Sequence, residues 1–206
     1  NKLETIQLES SGVDFSYSLK LSTKISPVLQ GDKGFSEKSE RGAASHYYSQ
    51  PFYSVQGWVV LNGKRHVVEG VGWLDREWSS NLLDENQLGW DWFSLHLDNG
   101  QKVMLFKVRQ KNGDEFLSGS WIKRDGSKIS LSSTDFALEV VEHSTIKGKQ
   151  IPTKWKISFF GSDPITINTN VLNTNSWMET SFPYWEGPIL VSGSFSGIGY
   201  LEMTGY

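Results

Sequence analysis

Carboxylates lie among tryptophans in two neighbouring segments of the sequence. The segments GWLDREWSS (72–80) and GWDWFSL (89–95) place Asp75, Glu77 and Asp91 within two positions of an indole. A carboxyl group that loses water to an apolar wall holds its proton to a higher pH, and it can then donate that proton near neutral pH. We therefore treat the three carboxylates as candidate catalytic residues.

The indoles themselves add a second chemical property. The π face of a tryptophan stabilises a nearby positive charge by ~0.5–2 kcal/mol. An acid beside walls of this kind is suited to protonating an alkene and holding the resulting cation. The same composition also suits a pocket that binds a ligand without transforming it.

Strand periodicity decides which of these side chains share a face. In an extended strand Asp75 and Glu77 point to the same side as Trp73. Asp91 instead shares its side with Phe93 and Leu95, the apolar face of its strand. A carboxylate on an apolar face must be paired or neutral.

The partner of Asp91 depends on the hairpin that follows it. A three-residue loop at 98–100 sets Asp91 opposite Lys107, whereas a two-residue turn sets it opposite Val108. The first register pairs the charge and the second leaves it available for chemistry. For Asp75 and Glu77 the structural alternative is an ion pair with Arg76 or Arg109 at the rim of a barrel.

Short alternating segments separated by turn signals predict an all-β protein. Asn62-Gly63 marks one hairpin, and from Gly89 onwards about eight or nine strands follow at the spacing of an up-and-down barrel or a sandwich. The first 80 residues supply three or four strands, too few to close a barrel, and residues 23–50 are predicted to be a long loop or crossover. Because an irregular stretch at 79–87 separates the two groups of strands, we place a domain boundary there and predict two domains, 1–85 and 86–206.

Composition excludes several classes of function. The net charge is −3 and Lys and Arg are scattered among 206 residues, so no basic surface for nucleic acid is predicted. The chain has no cysteine, and its four histidines are dispersed without metal-binding spacing, so we expect neither a metal site nor a thiol nucleophile. No apolar run is long enough to span a bilayer.

Four segments together resemble one family. They are GAASHYYSQP, VEGVGWLDREWSS, GWDWFSLHLDNGQKVMLFKVR and YWEGPILVSGSFSGIGYLEMTGY, and in this order they are similar to the carotenoid 1,2-hydratase/AttH-like family, which includes kievitone hydratase. The resemblance runs from about Val28 to Tyr206. It implies two lipocalin-like antiparallel β-barrels in tandem. This chain is expected to carry only the last strands of the first barrel (incomplete, 1–85) and the whole of the second barrel (86–206).

The resemblance also implies an activity, the addition of water to a carbon–carbon double bond of a hydrophobic, terpenoid- or carotenoid-like substrate without metal or organic cofactor. Asp75 is the expected acid, and Glu77 or Asp91 is a candidate for orienting the water. The resemblance places aromatic side chains around the substrate, and we expect these walls to be Tyr47, Tyr48, Trp73, Trp78, Trp90, Trp92 and Trp185.

Two other functions stay open at this point. The first is a non-catalytic lipocalin-like carrier of a hydrophobic small molecule in the cell envelope, and the second is an uncharacterised hydrolase or isomerase. We expect a hydrophobic ligand, no nucleic acid, peripheral membrane contact, and an N-terminal segment or another chain that completes the first barrel. A periplasmic, cell-envelope or secreted location fits these expectations.

Overall fold

The computed structural model describes residues 3–40, 42–80 and 85–206, and every regular element in these ranges is a β-strand. The prediction of an all-β protein is therefore confirmed. Within the same ranges no helix could cross a membrane. The strands are β1 (Thr5–Ser11), β2 (Phe15–Ser22), β3 (Val28–Leu29), β4 (Phe35–Glu37), β5 (Ala44–Leu61), β6 (Lys64–Trp78), β7 (Gln87–Leu97), β8 (Lys102–Gln110), β9 (Glu115–Ile122), β10 (Lys128–Ser132), β11 (Phe136–Ile146), β12 (Lys149–Phe159), β13 (Ile165–Val171), β14 (Trp177–Met178), β15 (Tyr184–Gly193) and β16 (Gly197–Thr204).

The first sheet contains β1 to β6 and is built around β5, which pairs with β2, β3, β4 and β6. The long β5–β6 hairpin turns at Asn62 and Gly63, whose φ angles are 49° and 76°. Two consecutive positive φ values make the mirror-image turn that fits the twist of paired strands, and Asn-Gly is the pair that adopts it most readily. The predicted hairpin is confirmed.

The prediction of a loop over residues 23–50 is wrong in part, because β5 begins at Ala44. This part of β5 carries serines and tyrosines in alternation, with Ser45, Tyr47 and Ser49 on one face. Since those side chains face a polar site, the strand lacks the apolar alternation by which a strand is usually recognised. The segment also contributes β3 and β4, which are too short to show periodicity.

The second sheet runs in the order β10-β9-β8-β7-β16-β15-β13-β12-β11, with β14 paired to β15. Six of the eight neighbouring pairs in this order are consecutive antiparallel strands, as in an up-and-down barrel. The sheet curls around a core that includes Phe93, Trp155 and Trp185. No ladder joins β10 to β11 within residues 85–206, and on that side Trp121 packs edge-on against Phe159 with ring centroids 5.0 Å apart.

Both faces of β7 and β8 are buried, and this places the two sheets against each other. Phe93 and Leu105 belong to the core inside the curl. On the opposite face Phe106 packs with Tyr47 of β5 and with the partly buried Trp92 in a second, smaller apolar cluster. The period of two along a strand therefore gives β7 one face for the core and one for contact with the first sheet.

The hairpin register places Asp91 opposite Lys107, as predicted for the three-residue loop. Asp91 is fully buried, with Oδ2 3.3 Å from Nε of Arg109 and 4.0 Å from Nζ of Lys107. Its Oδ1 accepts a hydrogen bond of 2.7 Å from the hydroxyl of Tyr206. Burial raises the pKa of Asp91, and Arg109, the Tyr206 hydroxyl and Lys107 act against that rise.

We predict that this ion pair contributes to stability. Asp91→Ala leaves Arg109 without its carboxylate in a largely buried environment, whereas Lys107 keeps Glu115 at 3.0 Å. The loss should lower the free energy of unfolding by about 3–5 kcal/mol. Urea denaturation measures the change. Asp163→Ala, in the exposed turn after β12, is the control and should change the value by no more than about 0.5 kcal/mol. An Asp91→Ala variant as stable as the parent would contradict the prediction.

Candidate active site between the sheets

A cavity of about 670 Å³ lies where the two sheets meet. Tyr47, Asp75 and Glu77 line it from the first sheet, while Trp92 and Phe106 are among the residues that line it from the second. Aromatic side chains beside converging polar and charged groups are found at ligand sites, and the volume falls within the usual range of roughly 300–1,000 Å³. We call this space the main cavity.

A second cavity of about 550 Å³ adjoins the main cavity. Asp75, Trp92 and Glu202 line both spaces, whereas Trp73 and His96 line only the second. Asp75 therefore lies at the boundary between them. Burial, reinforced by the charge of Lys102, lowers the pKa of His96 to about 4, so this histidine is neutral at pH 7.

The β5–β6 register explains how the polar side chains converge. Tyr47 lies opposite Glu77 and Ser49 lies opposite Asp75. Side chains of directly opposed residues point to the same face of an antiparallel pair. Asp75 and Glu77 of β6 therefore share a face with Tyr47 and Ser49 of β5, together with Ser45, and that face is turned towards β7 and β8.

Asp75 accepts three side-chain hydrogen bonds. The Tyr47 hydroxyl (3.0 Å) and the Ser49 hydroxyl donate to Oδ1, and the Trp73 indole donates to Oδ2 at 3.0 Å. The Tyr47 oxygen in turn accepts a hydrogen bond of 3.0 Å from Nε1 of Trp92. Burial raises the pKa of Tyr47 well above its usual value, so this group remains a phenol with one hydrogen to donate.

Desolvation dominates the protonation of Asp75. The carboxyl group is exposed to the cavity but protein surrounds it on most sides, and this burial raises its pKa from 3.8 to about 6. The hydrogen bonds from Ser49, Trp73 and Tyr47 act against the rise because they stabilise the carboxylate, while the charge of Glu77 adds to it. Asp75 is thus the group in the main cavity best placed to hold a proton near neutral pH.

Glu77 is held in a different way. Its Oε1 lies 2.7 Å from Nζ of Lys38 and accepts a hydrogen bond from Ser45. Lys38 also lies 3.9 Å above the centre of the Phe106 ring. Burial lowers the pKa of Lys38, and the neighbouring Glu77 opposes that change. Both contacts use Oε1. Among the described residues, Oε2 of Glu77 has no hydrogen-bond or ion-pair partner.

A third carboxylate of the site, Glu202 of β16, was not among the predicted catalytic residues. Its Oε1 accepts a hydrogen bond of 2.7 Å from Nε1 of Trp90, and burial raises its pKa. The sequence places Glu202 on a strand with alternating faces but does not show which strand lies beside β16. The register of β16 against β7, which sets Glu202 opposite Trp92, comes from long-range pairing.

Sequence reasoning also missed Lys38, Ser45 and Ser49. Lys38 lies in a segment rich in glycine, serine and charge, where nothing distinguishes it from a solvated lysine. The two serines flank Tyr47 with a period of two, and this pattern could have identified them as neighbours on one face.

Six of the predicted site residues besides Glu77 line a cavity: Tyr47, Asp75, Trp73, Trp78, Trp90 and Trp92. Trp78 lies at the edge of the main cavity with about half of its surface (52%) exposed.

Three predicted site residues lie elsewhere, and we leave them out of the candidate site. Asp91 projects from the opposite face of β7 into its ion pair with Arg109. Trp185 is fully buried in the core, where its indole donates to the carbonyl oxygen of Thr174 at 2.9 Å. Tyr48 has the opposite orientation to its neighbour Tyr47 along β5 and packs edge-on against Trp78.

Over the ranges that the structure describes, no group of three His, Asp or Glu side chains is arranged to hold a metal ion. The carboxylates of the site are spaced by indoles, hydroxyls and Lys38 rather than grouped around a common point.

The raised pKa of Asp75 predicts a definite pH dependence of stability. Because the folded-state value of about 6 exceeds the ordinary value of 3.8, the contribution of Asp75 to stability is complete below the ordinary value and is lost as the pH rises through about 6. Between about pH 4 and pH 7 the parent should therefore lose stability relative to Asp75→Asn, as measured by urea midpoints.

Asp163→Asn provides the control for this comparison, because it changes the same side chain at an exposed turn. Its midpoints should follow those of the parent across the whole range. If the midpoints of Asp75→Asn also ran parallel to the parent, Asp75 would titrate alike in the folded and unfolded chains.

Comparison with known proteins supplies the family. A crystal structure of a protein assigned as AttH, from Nitrosomonas europaea, superposes with a TM-score of 0.88 at 28% sequence identity and covers 97% of this chain. Kievitone hydratase from Nectria haematococca superposes with a TM-score of 0.80 at 15% identity and covers 98% of this chain. The chain spans 65% of the length of each of these two structures. No protein of curated function matches the sequence significantly.

These likenesses confirm the predicted lipocalin-like, all-β fold. The family model described as AttH-like matches residues 1–206. The resemblance predicted from about Val28 to Tyr206 is thus confirmed, the match also includes residues 1–27, and the chain belongs to the AttH-like family.

Proposed function

We propose that this protein is a hydro-lyase that adds water to a carbon–carbon double bond of a hydrophobic substrate without an organic cofactor. The observation that carries the proposal is the environment of Asp75, a carboxyl group with a raised pKa at the boundary of two adjoining cavities with indoles in their walls. The structural likeness to kievitone hydratase, a hydratase by its name, supports the same reaction class.

The first step is proton transfer from Asp75 to the alkene. The π electrons form a new C–H bond with the acid proton, the O–H bond of Asp75 breaks, and the electron pair stays on the carboxylate. Positive charge then lies on the more substituted carbon. The indole faces of Trp73 and Trp92, which lie nearly perpendicular (82°) with centroids 6.4 Å apart, are placed to stabilise this cation by ~0.5–2 kcal/mol per contact.

The second step is capture of the cation by water. A water oxygen forms the new C–O bond and must release one proton. Oε2 of Glu77 is the acceptor we assign, because Lys38 and Ser45 occupy Oε1. Glu77 follows Asp75 by two positions on the same face of β6, roughly 7 Å along the strand. Return of the proton to Asp75 completes the cycle, and the sum is alkene plus water giving an alcohol.

The walls of the main cavity favour an apolar substrate. Trp90, Trp92, Phe106 and Val108 contribute apolar surface from the second sheet. Lys38 is the cation among the described residues lining this space, and Glu77 neutralises it. An isoprenoid hydrocarbon chain, as in terpenoids or carotenoids, fits these properties, and we propose it as the substrate class.

One observation favours a second candidate, a carrier that binds a hydrophobic molecule without transforming it. Each carboxylate of the main cavity already accepts a hydrogen bond, Asp75 from Ser49, Glu77 from Ser45 and Glu202 from Trp90. A binding protein requires polar groups that are satisfied in this way. The two candidates differ in whether Asp75 gives up a proton during a turnover.

We predict that Asp75→Asn abolishes turnover and preserves binding. An amide keeps the shape of the side chain but has no acid proton, so kcat should fall by about 10²–10⁴-fold while the dissociation constant for the substrate changes little. The assay incubates purified protein with a panel of prenylated alkenes in heavy-oxygen water and detects the labelled alcohol by mass spectrometry. Quenching of tryptophan fluorescence measures binding in parallel.

Asp163→Asn is the matched control and should turn over substrate as the parent does. Loss of binding in Asp75→Asn would indicate that Asp75 shapes the cavity rather than donating a proton. If the parent bound several members of the panel tightly and produced no labelled alcohol from any, the carrier would replace the hydratase as the assigned function.

A further inference from the structure

A chain of buried hydrogen bonds leads from the second sheet to Asp75. The Ser120 hydroxyl on β9 donates to Oε1 of Gln30 at 2.7 Å, and Nε2 of Gln30 donates to the Ser49 hydroxyl at 2.9 Å. The Ser49 hydroxyl then donates to Oδ1 of Asp75. Ser120, Gln30 and Ser49 each have no exposed surface, so water does not compete for the hydrogen bonds between these three residues.

The chemistry of the groups gives this chain one direction. The amide nitrogen of Gln30 can only donate, so the Ser49 oxygen accepts there and its single hydrogen remains for Asp75. Tyr47 behaves in the same way, because the indole N–H of Trp92 also can only donate and leaves the phenol hydrogen for Asp75. Both hydrogens reach the same oxygen, Oδ1.

The two oxygens of Asp75 are therefore unequal. Oδ1 accepts from Ser49 and Tyr47, which occupy its two lone pairs. Among the residues that the structure describes, Oδ2 accepts only from Trp73, and its second lone pair is open. A proton on the carboxyl group is consequently stabilised on Oδ2, since a proton on Oδ1 would displace one of the two fixed donors.

The backbone holds Gln30 in place for this task. Its N–H donates to the carbonyl oxygen of Tyr47 at 3.0 Å, and its own carbonyl oxygen accepts from the N–H of Gly34 at 2.9 Å. Gly31, with φ of 60°, lets the chain curl back over β5; a Cβ there would lie 2.0 Å from the carbonyl oxygen of Phe35. Backbone hydrogen bonds to Tyr47 and Gly34 thus hold the main chain of Gln30. Ser120 from the second sheet holds its side-chain amide.

We propose that Gln30 is a positioning residue which, through Ser49, directs a hydrogen bond onto Oδ1 of Asp75 so that Oδ2 is the oxygen that carries and delivers the acid proton. Its importance for turnover rests on the proposed function, but its effect on Asp75 does not. Ser120 lies on β9 and Asp75 lies on β6. The hydrogen-bond chain therefore makes the orientation of the Asp75 carboxyl group depend on how the two sheets pack against each other.

The test compares Gln30→Met, Ser49→Ala and the double variant by carbon NMR titration of the Asp75 carboxyl group, which needs no substrate. Ser49→Ala removes a donor to the carboxylate and should raise the pKa of Asp75 by about one unit. Gln30→Met should produce part of that rise. The double variant should match Ser49→Ala, because Gln30 acts through Ser49.

The other charged or titratable groups around Asp75 are left unchanged in every variant: Tyr47 on β5, Glu77 on β6, His96 on β7, Glu186 on β15, Tyr200 and Glu202 on β16, and Lys38 in the segment after β4. Gln150→Met is the matched control. Its amide also donates to a hydroxyl, that of Thr145 at 3.0 Å, but on the exposed surface. This variant should leave the titration of Asp75 unchanged.

Two results would overturn the proposal. One is a Gln30→Met protein that folds and titrates at Asp75 as the parent does, and the other is a double variant whose shift equals the sum of the single shifts. If Gln30→Met does not fold, Ser120→Ala replaces it. That change frees the amide of Gln30 to rotate and should also raise the pKa of Asp75, so an unchanged titration would count against the proposal equally.

The hydration assay separates this proposal from the proposed function. For a hydratase, Gln30→Met should lower kcat and leave KM unchanged, because the substrate does not touch Gln30. A parent protein without hydratase activity would refute the proposed function, whereas the NMR titration would still decide the role of Gln30.

Discussion

Packing of the tryptophan-bearing face of β7 against β5 and β6 surrounds Asp75 with protein on most sides, and the chemistry of the site depends on the resulting desolvation. The hydrogen bonds from Ser49, Trp73 and Tyr47 stabilise the carboxylate but do not outweigh the cost of burying its charge. Without the contact between the sheets Asp75 would be an ordinary acidic side chain on an exposed strand. The fold therefore produces the acid by placing one sheet on the other.

The cost of desolvating a carboxylate is met differently at Asp91, which is fully buried, and at Asp75, which faces the cavities. Asp91 lies inside the curl of the second sheet with Arg109 and Lys107 near its Oδ2, whereas neutral donors surround Asp75. A cationic partner favours the charged form and suits a structural ion pair, while neutral donors in a desolvated site leave the proton within reach of neutral pH. The type of partner, rather than burial itself, separates the structural carboxylate from the candidate catalytic one.

The indoles of the site have two tasks that depend on different atoms. Their N–H groups donate to Asp75, Tyr47 and Glu202, and their faces supply the apolar walls of the cavities. A tryptophan can serve both purposes because its polar edge and its π face point in different directions. This explains why carboxylates and indoles occur together in the sequence, since each indole that excludes water from a carboxylate can also compensate part of the loss.

The all-β class, the Asn62-Gly63 hairpin and the grouping of Asp75 and Glu77 on one face could be predicted from the sequence, because each follows from turn chemistry or from the period of two along a strand. The sequence had limits at two places. It could not separate Tyr47 from Tyr48 as a wall residue, or decide the register that gives Asp91 its cationic partners. The roles of Lys38, Gln30, Ser120 and Glu202 were decided only by the tertiary structure. Their partners are distant in the chain and come together through strand pairing and sheet contact, and local periodicity carries no information about either.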